Sequence, residues 1–187
     1  MSTLKTLAAV VLAATLPAMA QAADFNLTGG SGTTATATFA SGGIGLNVTG
    51  PSLGGSLDVT RSSHGLGVST GLADLGGIGN NESLTLTFSQ AVNLSSLKVA
   101  GWDSVDRVTL SWAGGSRNLV GDGIVSTDTE TLSGVVGTVF KLQGTSALTT
   151  FRLNGLTAVA AVPEPSTYAL MGLGLVGIAA VRRRRVR

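Results

Sequence analysis

The sequence predicts an all-β domain, an antiparallel β-sandwich, in the middle of the chain. Three observations predict it. Apolar and polar residues alternate with a period of two in several short runs. Each run is bounded by Gly, Asn, Asp or Ser, and no stretch between residues 24 and 160 carries a helical period. Such alternation puts one face of a strand on a core and the other in water, as antiparallel sheets do. Seven or more strands of this kind with turn signals between them suggest two packed layers.

The runs, in order, are these. Thr34, Thr36 and Thr38 alternate with Ala35, Ala37 and Phe39, between Gly29-Gly30-Ser31-Gly32 and Ser41-Gly42-Gly43. That run has little bulk and reads as an edge strand or a loosely held arm. Leu57-Asp58-Val59-Thr60 reads as a strand. Leu84, Leu86 and Phe88 alternate with Thr85, Thr87 and Ser89. Val108, Leu110 and Trp112 alternate with Thr109 and Ser111, and Val136, Thr138, Phe140 and Leu142 form a further run. Phe151 and Leu153 flank Arg152. The 27 glycines, with abundant Ser and Thr, supply turns and loops between the runs.

The two ends follow other rules. Lys5 is followed by an apolar stretch at residues 7–16, by Pro17, and by Ala18-Met19-Ala20-Gln21-Ala22. A basic start, a short apolar run and small-x-small residues make a secretory signal peptide. The pattern predicts a signal peptide over residues 1–22, with Ala20 and Ala22 at the signal-peptidase site and Ala23 as the first mature residue. The apolar run is too short for a bilayer, which takes about 20 residues.

The other end reads Val162-Pro163-Glu164-Pro165-Ser166-Thr167, then residues 168–181 without a charge, then Arg182, Arg183, Arg184, Arg185, Val186 and Arg187. Two prolines around one residue forbid helix and central strand, which leaves accessible backbone. A helix over 168–181 would measure about 21 Å at ~1.5 Å per residue, short for a hydrocarbon core of about 30 Å but helped by snorkelling arginines. Arginines flanking a membrane helix stay in the cytoplasm, where they stop transfer. The predicted domains are therefore the signal peptide (1–22), an exported domain (23–161) and a C-terminal segment (162–187) with a transmembrane helix at 168–181 and an arginine tail at 182–187.

This C-terminal segment closely resembles the PEP-CTERM sorting signal of Gram-negative bacteria, on the run Val162, Pro163, Glu164, Pro165, Ser166 and the arginines that end the chain. The resemblance implies that exosortase, a transpeptidase-like membrane protease, cuts at Pro-Glu-Pro. It also implies a transient inner-membrane anchor and a destination at the cell surface or in a matrix of exopolysaccharide and biofilm. Residues 64–68, 80–88 and 92–94 further resemble a pattern in the exported domains of such proteins, which implies a jelly-roll-like sandwich.

Composition excludes several functions once the ends are set aside. The formal net charge is +2, from 12 basic and 10 acidic residues. Lys5 and the five terminal arginines, six basic residues, lie in the ends with Glu164. That leaves six basic against nine acidic, a net charge of −3 for residues 23–161. Nucleic acid is not an expected partner. The chain has no cysteine, which removes disulfides and thiolate metal sites.

Two enzyme-like motifs lack their context. Gly50-Pro51-Ser52-Leu53-Gly54 fits a serine-hydrolase elbow, yet a strand rather than a helix follows it. Gly172 to Gly177 spells a dinucleotide fingerprint inside the apolar C-terminal segment. His64, the single histidine, sits in a turn by composition. No cofactor is expected, except that Glu82, Asp103 and Asp106 carry the oxygen chemistry of a structural calcium site. Trp112 is in phase with Val108 and Leu110 and reads as core, whereas Trp102 is the candidate platform for stacking a sugar. The reading is a non-catalytic surface or matrix protein, with a carbohydrate-binding module and a matrix-acting hydrolase as alternatives. Its partners would be exosortase, signal peptidase, the inner membrane through the C-terminal helix, and exopolysaccharide.

Overall fold

A computed structural model describes residues 21–51, 58–69, 76–122, 126–161, 171–172 and 174–176. Twelve strands form among them. They are β1 (Ala22–Asn26), β2 (Gly32–Thr34), β3 (Thr36–Ser41), β4 (Ile44–Thr49), β5 (Asp58–Ser62), β6 (Gly65–Ser69), β7 (Ser83–Trp102), β8 (Arg107–Trp112), β9 (Gly115–Val120), β10 (Ser126–Thr131), β11 (Val136–Gly144) and β12 (Arg152–Ala160). All named strand pairs are antiparallel, and the protein is all-β.

One strand organises the rest. β7 is 20 residues long, and its two halves have different neighbours. The first half pairs with β4 on one side and β11 on the other, giving the order β3-β4-β7-β11-β8-β9. The second half lies between β10 and β12; beyond β12 come β1 and the run β6-β5-β2. The strands thus form one hydrogen-bonded sheet with two branches, because β7 belongs to both.

The branches meet in a single core. Phe88 of β7 packs edge-on against Phe140 of β11, centroids 5.7 Å apart, and against Phe25 of β1 on the other branch at 5.9 Å. The edge-to-face geometry sets the positive rim of one ring on the negative face of the next.

The buried positions of β7 change phase. Leu84, Leu86, Phe88, Val92 and Leu94 are buried, then Leu97 and Val99. The cause is a β-bulge. Thr157 pairs with Ser96 and Ala158 with Leu94, so Ser95 is an extra residue opposite β12. The Ser95 hydroxyl donates to the Thr157 carbonyl at 3.1 Å.

The N-terminal segment is not a loose arm. Ala23, Phe25 and Leu27 are buried, and β3 pairs along its whole length with β4. Its Thr/Ala run divides at Ala35, with β2 on β5 and β3 on β4. Poor bulk in β3 is offset by the apolar residues of β1 and β4 that pack near it. Among the described residues no helix is long and apolar enough to cross a membrane. Residues 1–20 and nearly all of 168–181 lie outside the described set, and those described at 171–172 and 174–176 are helical.

Candidate functional site: the sorting junction and the groove beside it

The last strand leads straight into the C-terminal segment. β12 ends at Ala160, and the Ala161 amide donates to the Ala91 carbonyl at 2.9 Å, one residue before Val162. β12 also carries the start of the described chain as its neighbour. Ala22 pairs with Val159 and Ala23 with Ala158. Because the pair is antiparallel, β1 leaves one end of the domain and β12 returns to that same end. Ala22, at the predicted signal-peptidase site, is thus the first and exposed residue of β1. Ala20, Val162, Pro163, Glu164, Pro165, Ser166 and the arginines at 182, 183, 184, 185 and 187 lie outside the described residues, as does Ser52.

The predicted sugar platform is corrected. Trp102 is 1% exposed, and its ring stands edge-on to Phe151 at 5.3 Å, so no face is available for stacking. It closes β7 at a bulge where Ser126 pairs with Trp102 and Thr127 with Ala100, Gly101 being the extra residue at φ +75°. That bulge turns the indole into the core. Trp112, at the end of the β8–β9 hairpin, is only half-buried against the core edge.

The predicted calcium ligands do not come together. Among the described residues no group of three or more His, Asp or Glu side chains is arranged to hold a metal. The carboxylates serve backbone amides instead. Asp106, 1% exposed, accepts from the amides of Asp103 and Thr150, each at 2.8 Å. Asp103 accepts from the Val105 amide at 2.9 Å, and Glu82 from the Gly79 amide at 2.6 Å. Burial pushes the Asp106 carboxyl above its ordinary value; the two amides pull the other way without offsetting it.

His64 is exposed on the turn joining β5 and β6, its Nδ1 3.2 Å from the Ser63 hydroxyl. It borders a hollow of about 230 Å³ lined also by Gly77, Ala100, Gly101, Thr150, Phe151 and Arg152, with no carboxylate in the lining.

A larger feature escaped the sequence reading. An open groove of about 620 Å³ lies on the outer face of β1, β12, β7 and β10. Register aligns its side chains in rows across the strands. One row is Asn26, Gly155, Lys98 and Thr129; the other runs Asp24, Thr157, Ser96. The Thr157 hydroxyl donates to Asp24 at 2.6 Å, and the Thr28 hydroxyl to Asn26 Oδ1 at 2.7 Å. Gly155 apart, the residues of the two rows are polar outward positions of alternating strands, a signal that becomes informative only once the register is known.

Residues 161–185 match the family model described as the PEP-CTERM protein-sorting motif. No curated protein matches the chain. An all-β domain whose last strand runs into a C-terminal sorting signal is a protein addressed to the cell surface. The chain carries the signal of the PEP-CTERM exosortase substrates, which implies recognition by exosortase, a membrane protease, and export with sorting to the cell surface.

Proposed function

We propose that residues 23–161 form a non-catalytic, jelly-roll-like β-sandwich that a signal peptide exports and the C-terminal segment delivers. In this reading residues 168–181 hold the precursor in the inner membrane, the arginines from Arg182 stop transfer, and exosortase cuts near Pro163-Glu164-Pro165. Charge at a bilayer centre costs about 2.5–3.5 kcal/mol per residue, so the tail halts where it is. The observation that carries the reading is the match of the sorting motif to residues 161–185, beginning where β12 ends. The β1–β12 pair supports it. A signal peptide before β1 and a membrane segment after β12 would leave one end of the domain together, as two segments of one membrane require.

Several contacts favour a non-catalytic domain. Asp103, Asp106 and Glu82 are bonded to backbone amides, the hollow beside His64 has no carboxylate, and the groove has one, Asp24. A glycosidase requires two. The sandwich reading draws on the edge-to-face ring contacts that join the two branches. Mass spectrometry of the surface-associated protein tests the processing. The expected C-terminus lies upstream of Tyr168. A mature chain that still carries Arg182 to Arg187 in a host with active exosortase refutes it.

A further inference from the structure

The groove on β1, β12, β7 and β10 is larger than the hollow beside His64, and the sorting reading gives it no role. Its lining is polar: Asp24, Asn26, Thr28, Ser96, Lys98, Thr129, Asn154 and Thr157 present hydroxyl, amide, carboxylate and ammonium groups. The buried partners of the same strands, Phe25 and Leu156, face the core.

We infer that this groove binds an extended polysaccharide laid across the strands. The lining narrows the choice of occupant. One lysine balanced by one aspartate offers no phosphate-binding charge, which removes nucleic acid. β12 and β7, which form the floor of the groove, are interior strands whose backbone groups are already paired on both sides, so a peptide strand would add at the outer edge of β10, beside the groove rather than across it. An amphipathic helix needs an apolar floor, and the exposed rows are polar. A polyhydroxyl chain meets the demand, because each sugar hydroxyl both donates and accepts, matching Ser, Thr, Asn, Asp and Lys side chains.

The geometry agrees. Neighbouring strands lie ~4.8 Å apart, close to the advance of one pyranose unit, so successive sugars would meet successive strands along the row Asn26, Gly155, Lys98, Thr129. Gly155 keeps the centre of that row low. Its bare Cα also lets β1 approach, since a Cβ there would stand 2.9 Å from the Phe25 carbonyl. Asp24 is aimed by the Thr157 hydroxyl, and Lys98 is the groove's one cation. The groove lining contains no Trp or Tyr, so hydrogen bonds rather than stacking hold the sugar and set its selectivity.

This inference rests on the reading of the domain as a non-catalytic surface protein, and its test separates the two. The full-length protein in detergent is titrated calorimetrically with three oligosaccharides: neutral β-1,4-glucose, β-1,6-linked N-acetylglucosamine, and a uronate oligomer. Products are followed by mass spectrometry. Binding to at least one is expected. Asp24→Ala with Lys98→Ala should weaken it by about tenfold or more, as the loss of two polar contacts to the ligand implies. Lys141→Ala, exposed on β11 outside the groove, should leave it unchanged. Preference for the uronate assigns the main contact to Lys98, and preference for a neutral chain to the hydroxyl rows. Binding to none of the three, or equal binding by the Asp24/Lys98 variant, overturns the inference and leaves the sorting reading standing. Binding followed by cleavage keeps the groove and refutes the non-catalytic reading.

Discussion

The indole of Trp102 is packed against Phe151 and keeps its N–H away from water without a hydrogen-bond partner. Two opposing effects therefore meet at one residue: a large apolar ring that fills the core and a polar group that burial penalises. Trp102→Ala should cost about 3–5 kcal/mol in denaturant unfolding, because the cavity cannot close. Trp102→Phe should cost well under half of that, since it removes the orphaned donor together with part of the volume. Equal losses in the two variants would show that the N–H has a partner. Asp106 is a different case. Its two oxygens hold the amides of Asp103 and Thr150, so Asp106→Ala leaves two buried donors unmet and should cost about 2–4 kcal/mol. A cost near zero in the same assay would mean that water takes over both amides.

Edge strands must be kept from pairing with other molecules. β10 lies at an edge of its branch, and its outward row of Thr127, Thr129 and Thr131 alternates with Asp128 and Glu130, which stand opposite Val99 and Leu97 of β7. These inward-leaning carboxylates are costly to bury and would be costlier still beneath a docked strand. Burial, then the neighbouring Asp128 charge, pushes the Glu130 carboxyl above its ordinary value. Between the ordinary and raised values the folded chain keeps a proton that the unfolded chain has released, so stability falls as pH rises through that window. Asp106 acts with the same sign. Glu130→Gln should reduce this slope, leaving the Asp106 part, and a pH series of denaturant midpoints reads it; an unchanged slope would place Glu130 in water. Asp128→Val with Glu130→Val should turn the edge sticky, seen as rising light scatter with concentration. A double variant that stays as dispersed as the parent would assign the protection to another feature.

At the scale of the whole molecule, the first and last strands form one antiparallel pair, so the domain is closed by joining its two ends. Asp24 and Thr157 are register partners and share a 2.6 Å hydrogen bond. The chain has no cysteine, so Asp24→Cys with Thr157→Cys should give an oxidised, reducible species of altered mobility in the exported protein. Free thiols in the folded protein would show that β1 does not lie against β12. Part of this architecture was legible beforehand. The runs at Leu84 to Phe88, Val108 to Leu110 and Phe140 to Leu142 became β7, β8 and β11, because their alternation is local and their turns are marked. The 20-residue length of β7 was hidden, since the bulge at Ser95 breaks the period that announces a strand. β1 and β10 have too few apolar residues to stand out, and their partners are distant in sequence.

Local chemistry alone determined the address and the class of this protein. Prolines around Glu164, an uncharged run and terminal arginines form a signal read from linear sequence, and period-two alternation marks an all-β chain whatever its topology. Only the tertiary structure decided which tryptophan is buried, that Asp103, Asp106 and Glu82 each accept from backbone amides, and that Asp24, Lys98 and Thr157 share a groove. The reason is physical. A side chain's face follows its own strand, but its neighbours follow register, and register is set by bulges and by pairings such as Asp24 with Thr157, 133 residues apart.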